Sequence, residues 1–182
     1  MGARALVAAA FLVLQGCGGY YTRDMLYAPE PSDGWVNTSD INRSSKFECN
    51  RRSIRYVSSS LSSKKTAEGI FGVPVIPTDD VIVKEDLARN LRFLLAYEGT
   101  ASAVCTTEDA AITIPGIGRV VPSAARGQQL TKTEHYCVLI FDVAEHNAQA
   151  FLIHVSPGKL GCDVPPLAVR RSTVNTYHYS PW

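Results

Sequence analysis

Residues 134–143 read EHYCVLIFDV, and the fold class turns on this stretch. Its centre, YCVLIFDV, is the strongest β pattern in the chain, aromatic and aliphatic except at Cys137 and Asp142. Glu145, His146 and Asn147 then supply a turn, and residues 148–156 follow with Phe151, Ile153 and Val155 on one side. The two runs read as a hairpin, and Pro157-Gly158 turns the chain again.

Similar short runs extend outward from this pair. Residues 110–114 form a short strand closed by Pro115-Gly116, with residues 118–122 as its hairpin partner. Residues 167–179 end the chain with Val169, Val174, Tyr177 and Tyr179, and read as a strand on a sheet edge. Residues 87–98 fit two templates. Leu87, Leu91, Leu94 and Leu95 suit a helical face ended by Gly99, whereas Leu91, Phe93, Leu95 and Tyr97 alternate as in a strand. A strand from about residue 90 to 98 is favoured, because its surroundings are strand-like.

Towards the N-terminus, Ile54 and Tyr56 share one face of residues 53–60, and residues 58–65 read as an exposed loop. Residues 70–77, IFGVPVIP, carry two prolines and a glycine and suit an edge segment or a packed loop. Residues 80–84 allow a short strand. Residues 18–34, GGYYTRDMLYAPEPSDG, read as a tether, and Ser and Asn crowd residues 37–45. Seven or eight short strands at this spacing predict a mainly β protein, an antiparallel β-sandwich.

The chain has 182 residues, 46% hydrophobic and 19% charged, which suits one globular domain with a short appendage. Formal net charge is +1, and the basic doublets Arg51-Arg52, Lys64-Lys65 and Arg170-Arg171 are scattered. No nucleic-acid partner is expected from such a pattern.

The first seventeen residues, MGARALVAAAFLVLQGC, set Arg4 before an uninterrupted apolar run over residues 5–14. That run has the length of a signal-peptide core and falls short of the roughly 20 apolar residues that span a bilayer. Leu14-Gln15-Gly16-Cys17 resembles the lipobox of bacterial lipoproteins, with a branched apolar residue three before the cysteine and a small one directly before it. The resemblance implies a diacylglyceryl thioether on Cys17, cleavage after Gly16, and acylation of the new amine. It therefore implies a lipid bilayer as partner and a cell-envelope location. Gly18 stands where enterobacterial inner-membrane lipoproteins carry aspartate, so the outer membrane is favoured. The expected organisation is a signal peptide over residues 1–16, a lipidated Cys17 with its tether to residue 45, and a sandwich over residues 46–182. The order of segments from Leu91 onward loosely resembles small immunoglobulin-like modules of bacterial lipoproteins. That likeness implies no activity.

Five cysteines are present. With Cys17 lipidated, Cys49, Cys105, Cys137 and Cys162 remain, an even number that suggests two disulfides with three possible connectivities. Strand pairing favours Cys105 with Cys137 and Cys49 with Cys162.

Candidates for chemistry are few. His135 and Cys137 alternate as H-x-C, and Cys105 is a possible third member of a metal or thiol site, but the usual zinc spacings are missing. His154 is another possible base for Cys137. The serines of residues 58–63 lack a G-x-S-x-G elbow, and Gly116-Ile117-Gly118 opens no helix. Asp79-Asp80 and Glu85-Asp86 lack calcium-loop spacing. His146 and His178 read as surface residues. Asn37-Thr38-Ser39 and Asn42-Arg43-Ser44 match the glycosylation triplet, a frequent pattern in Ser/Thr-rich stretches. The sequence thus points to a non-enzymatic envelope lipoprotein without a cofactor or a metal, in a structural or protein-interaction role that presents loops or an edge strand to another envelope protein or to the cell wall. The runner-up is a small exported thiol- or metal-dependent protein using Cys105, His135 and Cys137.

Overall fold

A computed structural model describes residues 18–38, 43–58, 60–70, 73–83, 90–99, 104–129, 131, 133–158 and 160–180. It is a two-sheet antiparallel β structure, as the alternating patterns predict. Thirteen strands occur among the described residues, more than the seven or eight expected. In chain order they are β1 (Gly18–Pro29), β2 (Trp35–Asn37), β3 (Ser44–Cys49), β4 (Arg52–Val57), β5 (Ser60–Ile70), β6 (Val73–Val83), β7 (Asn90–Glu98), β8 (Ala110–Ile114), β9 (Gly118–Val120), β10 (Ala124–Gln129), β11 (Glu134–Ala144), β12 (Ala150–Val155) and β13 (Leu167–Ser180). One sheet has the order β6-β5-β1-β13-β12-β8-β9, and the other β10-β11-β7-β4-β3-β2.

The chain divides into two compact units. The larger holds residues 26–60 and 85–172, which include all of the six-stranded sheet and β8, β9 and β12. The smaller holds residues 1–25, 61–84 and 173–182. Strands β1, β5 and β13 contribute residues to both.

The core of the larger unit follows from strand periodicity. On β11, His135, Cys137, Leu139 and Phe141 are buried, and on β7 so are Leu91, Phe93, Leu95 and Tyr97. The two strands pair with Leu139 opposite Phe93 and Cys137 opposite Leu95. From the other sheet come Tyr27, Ile112, Ile114, Phe151, Ile153, Leu167 and Val169, each at most 2% exposed. Phe93 stacks on Phe141 at 5.2 Å between ring centroids and on Phe151 at 6.1 Å. The Tyr56 hydroxyl donates to the Tyr27 carbonyl at 2.9 Å, a second tie between the sheets.

Several expectations are corrected. Residues 134–156 do not form a hairpin, because β11 and β12 lie in different sheets. The turn Glu145–Asn147 is one 3-10 turn with Glu145 buried, and the Tyr27 hydroxyl donates to the Glu145 carbonyl at 2.7 Å. That corner lets both strands bury an apolar face in the same core. Phe151 then pairs opposite Val169 on β13, and Ile153 opposite Ile112 on β8. The stretch read as a tether holds β1, flanked by β5 and β13. Its glycines and charges mask an alternation in which Thr22, Asp24 and Leu26 are buried. The expected loop over residues 58–65 overlaps β5, with Leu61 and Ser63 buried. Likewise β13 is an interior strand, between β1 and β12, where an edge was expected.

Other readings hold. Asn90–Glu98 is a strand, Gly118–Val120 pairs with Ala110–Ile114, and the proline-bearing β6 lies at a sheet edge. Two residues close the β3–β4 hairpin, Asn50 (φ 51°) and Arg51 (φ 62°). This left-handed pair is the geometry that tight two-residue hairpins require.

Replacing Phe93 by Ala removes the ring that touches Phe141, Phe151 and Tyr56. Denaturant unfolding is expected to show a loss of about 3–5 kcal/mol, the usual range for a buried aromatic truncated to Ala.

Candidate functional site

The structure joins Cys49 to Cys162 and Cys105 to Cys137, the two pairs that strand pairing favoured. The first closes a separation of 113 residues and the second one of 32. Cys49 ends β3, and its bridge fastens the segment around residues 157–166 to the β3–β4 hairpin. Trp35 Nε1 donates to the Pro165 carbonyl at 2.9 Å, and Asn50 Nδ2 to that of Gly161 at 3.3 Å. This bridge therefore sits among other local ties.

The second bridge joins half-exposed Cys105 to a cysteine buried at the edge of the core. Cys137 is 1% exposed, and its Sγ lies 3.6 Å from Asp109 Oδ2. Asp109, 6% exposed, accepts hydrogen bonds from the Thr106 amide at 2.9 Å and the Thr106 hydroxyl at 3.0 Å. Ligand atoms of Cys105, Asp109 and Cys137 lie within 4.8 Å of one another, the one such metal-capable group among the described residues. The H-x-C pattern groups Cys105 and Cys137 with His135. Asp109 takes that third place, and its position depends on a turn that no spacing rule signals. His135 is buried opposite Tyr97 on β7, and its Nδ1 has no hydrogen-bond partner among the described residues. His154 Nε2 lies 3.0 Å from the Thr113 hydroxyl, with no thiol in that pair.

Burial of phenols marks the same core. Desolvation raises the pKa of Tyr97 above its ordinary 10.0, and the Asp109 carboxylate adds to the effect. Desolvation also raises Tyr27 and Tyr56. All three phenols are held neutral when folded, whereas the unfolded chain releases their protons near the ordinary value. Their contribution to stability is therefore complete below about pH 10 and is lost as pH rises beyond it. Alkaline titration followed at 295 nm should show these three ionising only with loss of the near-ultraviolet circular dichroism.

Two polar groups lie elsewhere. On the outer face of the six-stranded sheet, an open hollow of about 600 Å³ is bordered by Lys46, Glu48, Arg51, Arg52, Ser53 and Glu98. Lys46 Nζ lies 2.6 Å from Glu48 and 3.5 Å from Glu98, and Arg55 Nη2 lies 2.9 Å from Glu134. The hydrogen bond to Glu48 is the main cause that raises the Lys46 pKa. This is a mixed-sign surface network, worth little for stability. In the smaller unit, Ser63 Oγ and Thr22 Oγ1 both donate to the buried Asp24, and His178 Nε2 lies 2.8 Å from Thr22 Oγ1. A threonine thus separates the imidazole from the carboxylate, and the serine points its proton at Asp24. Nucleophile and base are not paired here as acyl transfer requires. His178 is half-buried and stacked on Tyr20 at 4.7 Å, so it is not the plain surface residue expected.

The lipidation expected at Cys17 lies outside the described residues, as does the acidic pair Glu85-Asp86. No helix among the described residues is long and apolar enough to cross a membrane. No family model, curated protein or solved structure matches this chain.

Reduction needs access to one sulfur and an acceptable thiolate as leaving group. Both sulfurs of Cys49–Cys162 belong to half-exposed residues, whereas Cys137 is buried beside a carboxylate. Burial and like charge both disfavour a thiolate. Limited reduction followed by alkylation and peptide mapping should label Cys49 and Cys162 before Cys105 and Cys137.

Proposed function

We propose that this chain is a lipid-anchored protein of the bacterial cell envelope, held through acylated Cys17, and that it acts by binding another envelope protein. The carrying observation is the segment Leu14-Gln15-Gly16-Cys17 at the end of a ten-residue apolar run. Cysteine pairing supports it, since Cys17 is the one cysteine left over by the two disulfides. The anchor is physically sufficient: each buried methylene contributes about 0.8 kcal/mol, and more than one chain makes the attachment stable. Gly18 after the acylated residue favours the outer membrane. On this reading the β structure presents a surface, and no chemistry is assigned to it.

A second reading has one specific observation behind it, the Cys105, Asp109 and Cys137 group. A thiol- or metal-dependent protein would use it with both cysteines reduced. Bound zinc or copper, with free thiols at 105 and 137 in protein from cells, would favour that reading over the first.

Replacing Cys17 by Ser removes the acylation site. The protein is then expected to leave the membrane fraction and appear among soluble exported proteins. Intact mass of the wild type should show a chain starting at Cys17 and carrying acyl groups. Unchanged membrane retention of the Ser variant would rule the anchor out.

A further inference from the structure

We infer that β10 is a strand-pairing site, where another envelope protein docks an extended segment that is apolar on one face and carries a carboxylate on the other. The inference rests on the partner-binding reading and deepens it by naming the edge and the chemistry that the edge takes.

The edge strands of the two sheets are β6 and β9 in one and β10 and β2 in the other. An edge strand leaves N–H and C=O groups for any extended chain, and proteins normally blunt it. Three of these four are blunted. Prolines interrupt β6. β2 and β9 have three residues each, and β9 stands between Pro115 and Pro122. β10 has six residues, AARGQQ, without a proline or an acid. Among the described residues it pairs with β11 alone, from Ala124 opposite Ile140 to Gln129 opposite His135. Alternate residues of such a strand turn N–H and C=O away from the pair, and residues 126–129 are exposed. The chain entering β10 is pinned. The Ser123 amide donates to the Ile140 carbonyl at 2.8 Å, and the Ser123 hydroxyl to the same oxygen at 3.2 Å. An edge fixed in advance costs an incoming strand less in ordering.

Side chains define the strand that fits. Residues directly opposite on paired strands share a face. Ala125 and Gly127 therefore lie on the core side with the buried Leu139 and Cys137, and Arg126 lies on the outer side with Val138. Alanine and glycine add little bulk on the core side, so an added strand with apolar residues there continues the core. On the outer side, Arg126 is exposed and in no ion pair among the described residues. The same holds for Arg119 on β9, and residues 110–133 contain no Asp or Glu. A carboxylate opposite Arg126 thus meets a cation that its own stretch of chain does not neutralise. Val121, 63% exposed and three residues before β10, offers an apolar contact at the end of the strand.

A second copy of the chain suits this edge less well. When two β10 strands pair with their core sides together, the registers of greatest overlap set both Arg126 guanidiniums opposite or diagonal to each other, and like charges so placed repel. An acidic strand turns the same position into an attraction.

The test titrates the full chain, purified from membranes, into a fluorescein-labelled peptide that alternates valine with threonine and has a glutamate in place of its central threonine. Anisotropy should report binding, and amide hydrogen exchange at residues 124–129 should slow on saturation. A lysine in place of the glutamate, or Arg126→Glu in the protein, should each weaken binding roughly fivefold, the upper end for one cross-strand charge pair. Combining the two changes should restore it. Arg23→Glu, the same charge change at an exposed position of the interior strand β1, should leave binding unaltered. Arg126→Gln serves if the charge reversal misfolds. A dissociation constant above about 1 mM, unchanged exchange at residues 124–129, or an equal loss with Arg23→Glu overturns the inference. So does a dimer that slows exchange at the same residues, which would give the edge to a second copy. An envelope protein that still binds the Arg126→Glu variant at full strength keeps the partner reading and sinks the edge. Intact mass of the same preparation reads acylation separately, so a missing anchor with peptide bound at β10 counts against the anchor alone.

Discussion

Phe93 touches Phe141 within its own sheet and Phe151 in the facing one, and this three-ring contact is the constraint on which the larger unit depends. Each ring comes from a different strand, so the contact fixes the phase of β7, β11 and β12 together. A shift of one residue on any of them would turn its apolar set away from the core. The 3-10 corner after β11 follows from the same requirement. Phe141 and Phe151 are ten residues apart and must face one interior from opposite sides, which a simple turn back within one sheet cannot achieve. The Tyr27 hydroxyl, bound to the Glu145 carbonyl, holds that corner in place.

The fold class was legible because the core strands are apolar on alternate positions and few charges interrupt them. Residues 90–98 were decided rightly as a strand by Leu91, Phe93, Leu95 and Tyr97, all of which are buried. What misled were stretches whose buried faces are polar. Thr22 and Asp24 on β1 and Ser63 on β5 are buried through hydrogen bonds to each other, and no hydropathy pattern reveals such partners. The result was a tether and a loop where two long strands run. Residues 134–156 differ from the expected hairpin for another reason. A turn sequence specifies that the chain bends, not whether it returns to the same sheet.

Of the candidate site, the cysteine pairing was readable and its chemistry was not. Cys105 and Cys137 were matched by their neighbourhood in strand order. Asp109 escaped notice because its place beside Cys137 depends on the turn at Thr106, which brings together atoms 28 residues apart in the chain. His135, which the H-x-C pattern put forward, lies on the buried face and opposite Tyr97. The anchor proposed at Cys17 is a matter of local sequence only, and a folded domain adds nothing to its reading beyond where the chain enters the first strand.

The outermost strand of the seven-stranded sheet carries Pro74 and Pro77. An imino nitrogen offers no proton to a stranger's carbonyl, so the row of main-chain donors along that rim is broken at two places. An open rim with an unbroken row of donors is a template on which copies of a chain can zip together into ribbons. Two rings without an N–H make this rim a poorer template for such pairing.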